Sequence, residues 1–330
     1  MSWSRAARTA VLAAGLALAG AACGEPPPRD EVEVVVPDGA STRDIARILS
    51  EAGLVRFPRL FAWAARLSGQ DSVLKSGRYR LAEDASWFEM LEALERGVVV
   101  TVPLTIPEGF GTRDIAARVA AFAGVPADSV LALTRAPELA RELGVPGPTL
   151  EGYLFPDTYR FAESLAPRTI LAAMVERYRS FWTEERRARL DSLEISEREL
   201  VTLASIVEAE ARVPGERPVI AGVYWNRLRR GMLLQADPTV QFALGERKER
   251  LLYRDIDSVA DHPYNTYTQP GLPPGPIASP GAAALVATLE PADVPFLFFV
   301  ARPDGSHVFT TTAREHVNAK NRIRAERNQR

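Results

Sequence analysis

The feature that most limits how this chain can fold is a repeated turn. Pro37-Asp38-Gly39-Ala40-Ser41-Thr42-Arg43-Asp44-Ile45-Ala46 recurs as Pro107-Glu108-Gly109-Phe110-Gly111-Thr112-Arg113-Asp114-Ile115-Ala116, an offset of 70 residues. A β-branched strand signal precedes each copy, Val34 to Val36 and Leu104 to Ile106. Pro-acid-Gly makes a turn, and the apolar residues after it fall at helical spacing. Ser41 or Thr42 can cap the first of these helices. Two strand-turn-helix units are therefore expected, too few for a solenoid. The fold class is α+β: small strand-turn-helix modules, then a larger helix-rich domain.

At 330 residues the chain can bury two cores. A net charge of -2 gives no global electrostatic case for nucleic acid, which is not expected as a partner. Arg5 and Arg8 precede an unbroken small-apolar run from Ala10 to Ala22, short for a membrane span and right for an export signal. The one cysteine, Cys23, ends it in Ala21-Ala22-Cys23-Gly24, which resembles a lipoprotein processing site. Lipidation of Cys23, an uncleaved anchor and a simple signal peptide all fit, and all three place the remaining chain outside the cytoplasm. Residues 1–23 are thus a signal or anchor segment, and 24–30, with Pro26, Pro27 and Pro28, a stiff linker. Residues 31–100 resemble the LysM fold, a carbohydrate-binding unit, although a purely structural duplication fits equally well. Residues 101–330 form the larger domain.

Helices are expected over Phe57 to Leu67, Ser86 to Arg96, Ala127 to Leu143, Thr169 to Leu190 and Glu216 to Arg230. The central one opens on Ser196-Glu197-Arg198-Glu199, a capping box, and runs into Leu203-Ala-Ser-Ile-Val-Glu208-Ala-Glu210-Ala211. Acids at a helix C-terminus oppose the macrodipole, so these two need a reason. Glu208 and Glu210 lie roughly 160° apart at about 100° per residue, on opposite edges of the apolar stripe. One can be catalytic while the other pairs with Arg212 or Arg217; a solvated helix-end charge is the plain alternative for either. Asn226, among apolar neighbours, fits a satisfied buried amide or a sugar ligand. Gln235-Ala236-Asp237-Pro238-Thr239 opens a helix, with Asp237 and Pro238 reading as N-cap and N1. Tyr264-Asn265-Thr266-Tyr267 leads into the Pro/Gly-dense loop 271–281, which reads as a rigid sugar-binding wall or a surface linker. Phe296 to Val300 and His307 to Thr311 flank a hairpin turn. His262, His307 and His316 lack metal-ligand spacing, and no phosphate loop or dinucleotide fingerprint occurs, so neither metal nor cofactor is expected.

Taken in order, Leu150 to Tyr159, Leu203 to Ala211, Arg217 to Leu228, Gly231 to Gly245, Tyr264 to Tyr267, Gly271 to Gly281 and the hairpin with His307 and Phe309 resemble the YceG/MltG endolytic murein transglycosylases. The resemblance runs from about residue 31 to the end. It implies cleavage of peptidoglycan glycan strands between N-acetylmuramic acid and N-acetylglucosamine without water: the muramyl 6-hydroxyl attacks the anomeric centre and leaves a 1,6-anhydro end. The first glutamate of the family motif falls on Glu208, with Glu210 and Glu216 in support and Asn226, Gln235, Asp237 and Tyr264 to Tyr267 as groove residues. It also implies cell-wall synthases as partners and membrane attachment through the N-terminal segment. One carboxyl suffices, since the nucleophile is tethered to the substrate. Desolvation at the apolar helix edge is expected to raise the pKa of that acid. A non-catalytic glycan-binding or scaffold protein is the alternative.

Overall fold

The structure is a computed structural model that describes residues 29–37, 39–67, 69, 74–97, 101–162, 165–248 and 251–328. Cys23, the signal or anchor segment, most of the linker and Asp38 lie outside them. The chain divides into two compact units, Met1–Val100 and Thr101–Arg330. Among the described residues no helix is long and apolar enough to cross a membrane. The architecture is α+β, helices with, among the described residues, three separate two-stranded antiparallel sheets.

In the first unit β1 (Glu31–Val36) is followed by helices α1 (Thr42–Glu51) and α2 (Pro58–Leu67), then β2 (Gly77–Ala82) and α3 (Trp87–Arg96). β2 returns antiparallel to β1, from Glu31 opposite Ala82 to Val36 opposite Gly77. Alternation puts Val34 and Val36 inward, as a half-buried strand requires, where they join Tyr79, Leu81, Ile45, Leu49, Phe61 and Met90 in one core. Ser41 caps α1 through a capping box with Asp44, and Ser86 caps α3 in the same way with Glu89.

The second copy of the repeat builds a related unit. β3 (Thr101–Thr105), helices α4 (Thr112–Ala123), α5 (Ala127–Arg135) and α6 (Pro137–Glu142), and β4 (Thr158–Ala162) again form a strand, a helical excursion and an antiparallel return. Gly39 and Gly109 take the same left-handed backbone, at φ 75° and 73°, which L residues with a Cβ rarely adopt. The caps differ. Gly111 stands where Ser41 stood and has no side chain to offer. Glu151 supplies the cap from a distant loop: its carboxylate accepts Thr112 N–H at 3.1 and 3.2 Å and the Thr112 hydroxyl at 2.6 Å.

Two expected helices are each broken. Ala127 to Leu143 is divided at Ala136, which is extended because it precedes Pro137. Thr169 to Leu190 is divided into α7 (Pro167–Phe181) and α8 (Glu184–Ser192), since Thr183 caps α8 by accepting Arg186 N–H. The central helix α9 (Glu197–Glu210) opens on the expected capping box. Residues Leu200 to Val207 are buried without interruption, so the helix is enclosed all round rather than along a stripe. It packs against α10 (Arg217–Arg229), which follows a 3₁₀ turn at Pro214–Glu216. After α11 (Asp237–Leu244) and α12 (Tyr253–Ser258), the chain reaches α13 (Ala282–Leu289), which also packs on α9. The hairpin of β5 (Phe298–Ala301) and β6 (His307–Thr310) and the terminal helix α14 (Ala313–Asn328) complete the unit.

Candidate active site

The Pro/Gly-dense loop before α13 is neither a surface linker nor an open wall. From Gly275 to Gly281 it is buried. Ser205 on α9 accepts Ile277 N–H at 3.1 Å, and Arg198 donates to the Pro274 carbonyl. The loop also pairs with the second repeat turn: Gly109 N–H donates to Ser279 O at 2.9 Å and Ser279 N–H to Phe110 O at 2.8 Å. Three remote segments thereby converge at the C-terminal end of α9: the turn at 107–110, the loop end at Gly281, and the start of α10.

Glu208 stands at that convergence, its side chain only 6% exposed. Its Oε1 accepts Arg217 Nη2 at 2.8 Å and its Oε2 accepts Gly281 N–H at 3.1 Å. Glu208, not Glu210, is therefore the acid that pairs with Arg217. The same Arg217 nitrogen lies 3.5 Å from Oε2 of Glu108. Burial, and after it the negative charge of Glu208, pushes the Glu108 pKa above the ordinary glutamate value, and Arg217 opposes the shift. Gly281 makes this packing possible: a Cβ there would lie 1.9 Å from Glu108 Oε1. An open groove of about 480 Å³ runs beside Arg217, between Pro214 and Pro218 on one side and Ala282 and Val286 on the other.

Glu210 belongs to a different cluster, as its helical phase requires. The Tyr224 hydroxyl donates to its Oε1 at 3.0 Å. Burial and the neighbouring Asp237 charge push its pKa up to about 7, against Tyr224, Arg227 and Arg212. Asp237 does not cap α11. Ala236 occupies the N-cap, with no side-chain bond, and Asp237 instead accepts the Tyr267 hydroxyl at 2.5 Å. Glu216 closes the 3₁₀ turn before Arg217 and grips the hairpin, accepting His307 N–H at 3.0 Å and pairing with its Nδ1 at 2.6 Å. Both residues thus fix where Arg217 begins α10.

Several expected groove residues do other work. Asn226 donates its amide to the carbonyls of Val294 and Phe296. Asn265 is fully buried: its amide donates to Ile256 and Val259, and its oxygen accepts Tyr267 N–H. Thr266 is buried too, accepting Ala236 N–H and sharing a hydrogen bond with Thr239. These three hold loops and offer sugar little. Tyr264 packs its ring on Phe242, centroids 4.6 Å apart. Gln235 is exposed and sits at φ 47°, a strained position for a residue with a side chain, held by Gln235 N–H donating to Thr266 O. Sequence reasoning missed Glu108. Its signal was the acid kept beside Gly in both copies of the repeat.

The α+β unit thus holds the Glu208 carboxylate between an arginine and a backbone amide. Residues 34–322 match the YceG-like family, and the chain belongs to it. It is 32% identical to the endolytic murein transglycosylase of Bacillus subtilis, over 96% of this chain and 92% of that protein. It is 31% identical to the endolytic murein transglycosylase of Streptococcus pneumoniae, over 88% of this chain and 59% of the longer protein. A YceG-like protein of Listeria monocytogenes, solved by crystallography, matches over 88% of this chain and all of its own, with a TM-score of 0.61 and 31% identity.

Proposed function

We propose that this protein is an endolytic lytic transglycosylase that cuts nascent peptidoglycan strands between N-acetylmuramic acid and N-acetylglucosamine, forms a 1,6-anhydro-muramyl end, and so limits strand length. The observation that carries the reading is Glu208, sealed yet adjacent to Arg217 at the edge of an open groove. Glu208 donates a proton to the glycosidic oxygen as the bond to the anomeric carbon breaks. The muramyl 6-hydroxyl then bonds to that carbon and returns its proton to Glu208, so no water is consumed. Glu108 is not placed as a hydrolase's second carboxylate. Such a pair flanks a sugar ring, whereas here both acids reach one nitrogen of Arg217, at 3.5 and 2.8 Å. Glu210 and Glu216 support the site through the ends of α9 and α10. Gln235, Asp237, Tyr264 and Tyr267 remain as substrate-contact candidates after Asn226, Asn265 and Thr266 are committed to loops, and none of the four lines the groove beside Arg217.

The order strand, two helices, antiparallel strand over 31–100 supports a LysM-like glycan-binding module there, with 101–330 as the catalytic domain. In this reading the N-terminal segment holds the chain at the cytoplasmic membrane, by lipid on Cys23 or by an anchor, with both units on the extracytoplasmic side among the cell-wall synthases. The test is digestion of uncrosslinked glycan strands with mass analysis of the ends. Wild type should yield anhydro ends, and Glu208→Gln should lower their release by about 10²–10⁴-fold. Undiminished release by E208Q refutes the assignment. Glycan binding without any cutting by wild type makes the protein a binding module or scaffold instead.

A further inference from the structure

A chemical difficulty remains at Glu208. It must begin as an acid, yet it accepts hydrogen bonds from Arg217 and from Gly281 N–H. We infer that Glu108 is its proton partner: the two carboxyl groups share Arg217 and hold one proton between them, and Arg217 swings from Glu208 to Glu108 as that proton crosses. This rests on the catalytic reading of Glu208 given above.

Four observations place Glu108 in this role. The turn that carries it pairs with Ser279, two residues before Gly281, which sets its backbone beside Glu208. Gly281 touches both acids, donating its N–H to Glu208 while the missing Cβ leaves the space that the Glu108 carboxyl fills. Arg217 Nη2 lies 2.8 Å from one carboxylate and 3.5 Å from the other, so a short swing exchanges its partner. Nε of Arg217 is buried and makes no hydrogen bond among the described residues, so few bonds oppose the swing. One cation between two acids leaves a net negative charge unless a proton is retained, and like charges this close disfavour double ionisation. The upward shift of Glu108 has that origin in part. Two other charges face the cluster. Arg247 donates to the Gly109 carbonyl at 2.9 Å from an exposed position, and Glu290 lines the groove with Arg217.

At rest the proton is on Glu108 and Arg217 holds ionised Glu208. Glu108 is 48% exposed and Glu208 is 6% exposed, so the pair takes its proton from solvent through Glu108. With glycan bound, the proton passes to Glu208 and Arg217 turns to ionised Glu108. Glu208 then protonates the glycosidic oxygen as the bond from that oxygen to the anomeric carbon breaks. The 6-oxygen bonds to the same carbon and its proton goes to Glu208. The pair ends with the one proton it began with.

The test is the pH profile of anhydro-end release by the full chain, for wild type, Glu108→Gln and Glu108→Asp. Two close carboxylates lose their last proton at higher pH than one alone, so E108Q should move the alkaline limb down by about one pH unit. Its rate at pH 7 should fall about tenfold and recover toward acid pH. E108D, which keeps the ionisable group, should restore most of the rate and the limb. A loss that is equal at every pH, or no loss, overturns the proposal, since a purely structural residue does not shift a profile. Infrared difference titration of the folded proteins reads the pair without turnover. Glu210 and Glu151 also titrate high, so the reading is the difference between variants: one further carboxyl titrating above the ordinary glutamate range should be lost in E108Q and move in Glu208→Gln, and an unchanged set of bands in E108Q overturns the shared proton. If wild type makes no anhydro ends, the functional reading fails, and the titration still decides the pair.

Discussion

Gly281→Ala is the sharpest structural probe of this site. The backbone there, at φ -76° and ψ 170°, suits any residue, so alanine brings no conformational strain. Its Cβ would meet Glu108 Oε1 at 1.9 Å and Cδ at 2.2 Å. The obstructing atoms end a half-exposed side chain, which can leave toward solvent, so the overpacking cost should lie near the low end of about 1–3 kcal/mol. Alanine is also a poorer N-cap than glycine for α13, adding about 0.5 kcal/mol. The sum is on the order of 1–2 kcal/mol, or a fall in Tm of about 2–8 °C for a domain of this size. Function should suffer more than stability, because Glu108 leaves Arg217 while the N–H to Glu208 remains. The pH profile should then match that of Glu108→Gln. A double-mutant cycle with Glu108→Ala checks the cause, since a one-carbon side chain at 108 removes the collision. The destabilisation by G281A should then shrink by about 1 kcal/mol or more. Additivity within about 0.5 kcal/mol, measured by urea unfolding, would refute the packing argument.

The second acid cluster makes a pH prediction. The Glu210 pKa is raised in the folded state from an unfolded value near 4.5 to about 7, so the stability it allows is full below pH 4.5 and lost as pH rises through 7. The loss should be on the order of 2–3 kcal/mol, reduced because the residue keeps some contact with water. Urea unfolding at pH 5, 6, 7 and 8 should show this decline, and Glu210→Gln should flatten it; an unchanged slope in E210Q removes Glu210 as its source. At the second repeat, Glu151→Ala should cost about 1–2 kcal/mol by uncapping α4. Adding Gly111→Ser should recover part of that, because serine at 41 caps the first copy locally and a Cβ at 111 meets nothing closer than 3.6 Å. No recovery by thermal melting would mean that the two copies do not cap by interchangeable means.

Local chemistry made much of this legible in advance. The repeat foretold two strand-turn-helix units, because Pro-acid-Gly and the apolar spacing after it act within one turn of chain. Ser196 and Glu199 announced the start of α9, and the helical phase separated Glu208 from Glu210. Three kinds of feature escaped that reading. Helix breaks at Ala136 and Thr183 are invisible to apolar spacing, which continues on both sides, although Pro137 and the Thr183 cap signal them locally. The polar residues Asn226, Asn265 and Thr266 looked like ligand contacts because a sequence does not reveal which carbonyls a fold will bury beside them. Glu108 depends on contacts with residues far along the chain, Glu208, Arg217 and Gly281, and only packing creates those. Yet the turn was visible twice, and comparing its copies separates two demands. Gly39 and Gly109 are the same because both copies need the left-handed backbone. Serine at 41 became glycine at 111, and the cap moved to Glu151. The acid stayed in both copies, and in the second it brings Glu108 to Arg217 beside Glu208, so a turn whose glycine and spacing serve the backbone also delivers a carboxyl to the catalytic candidate.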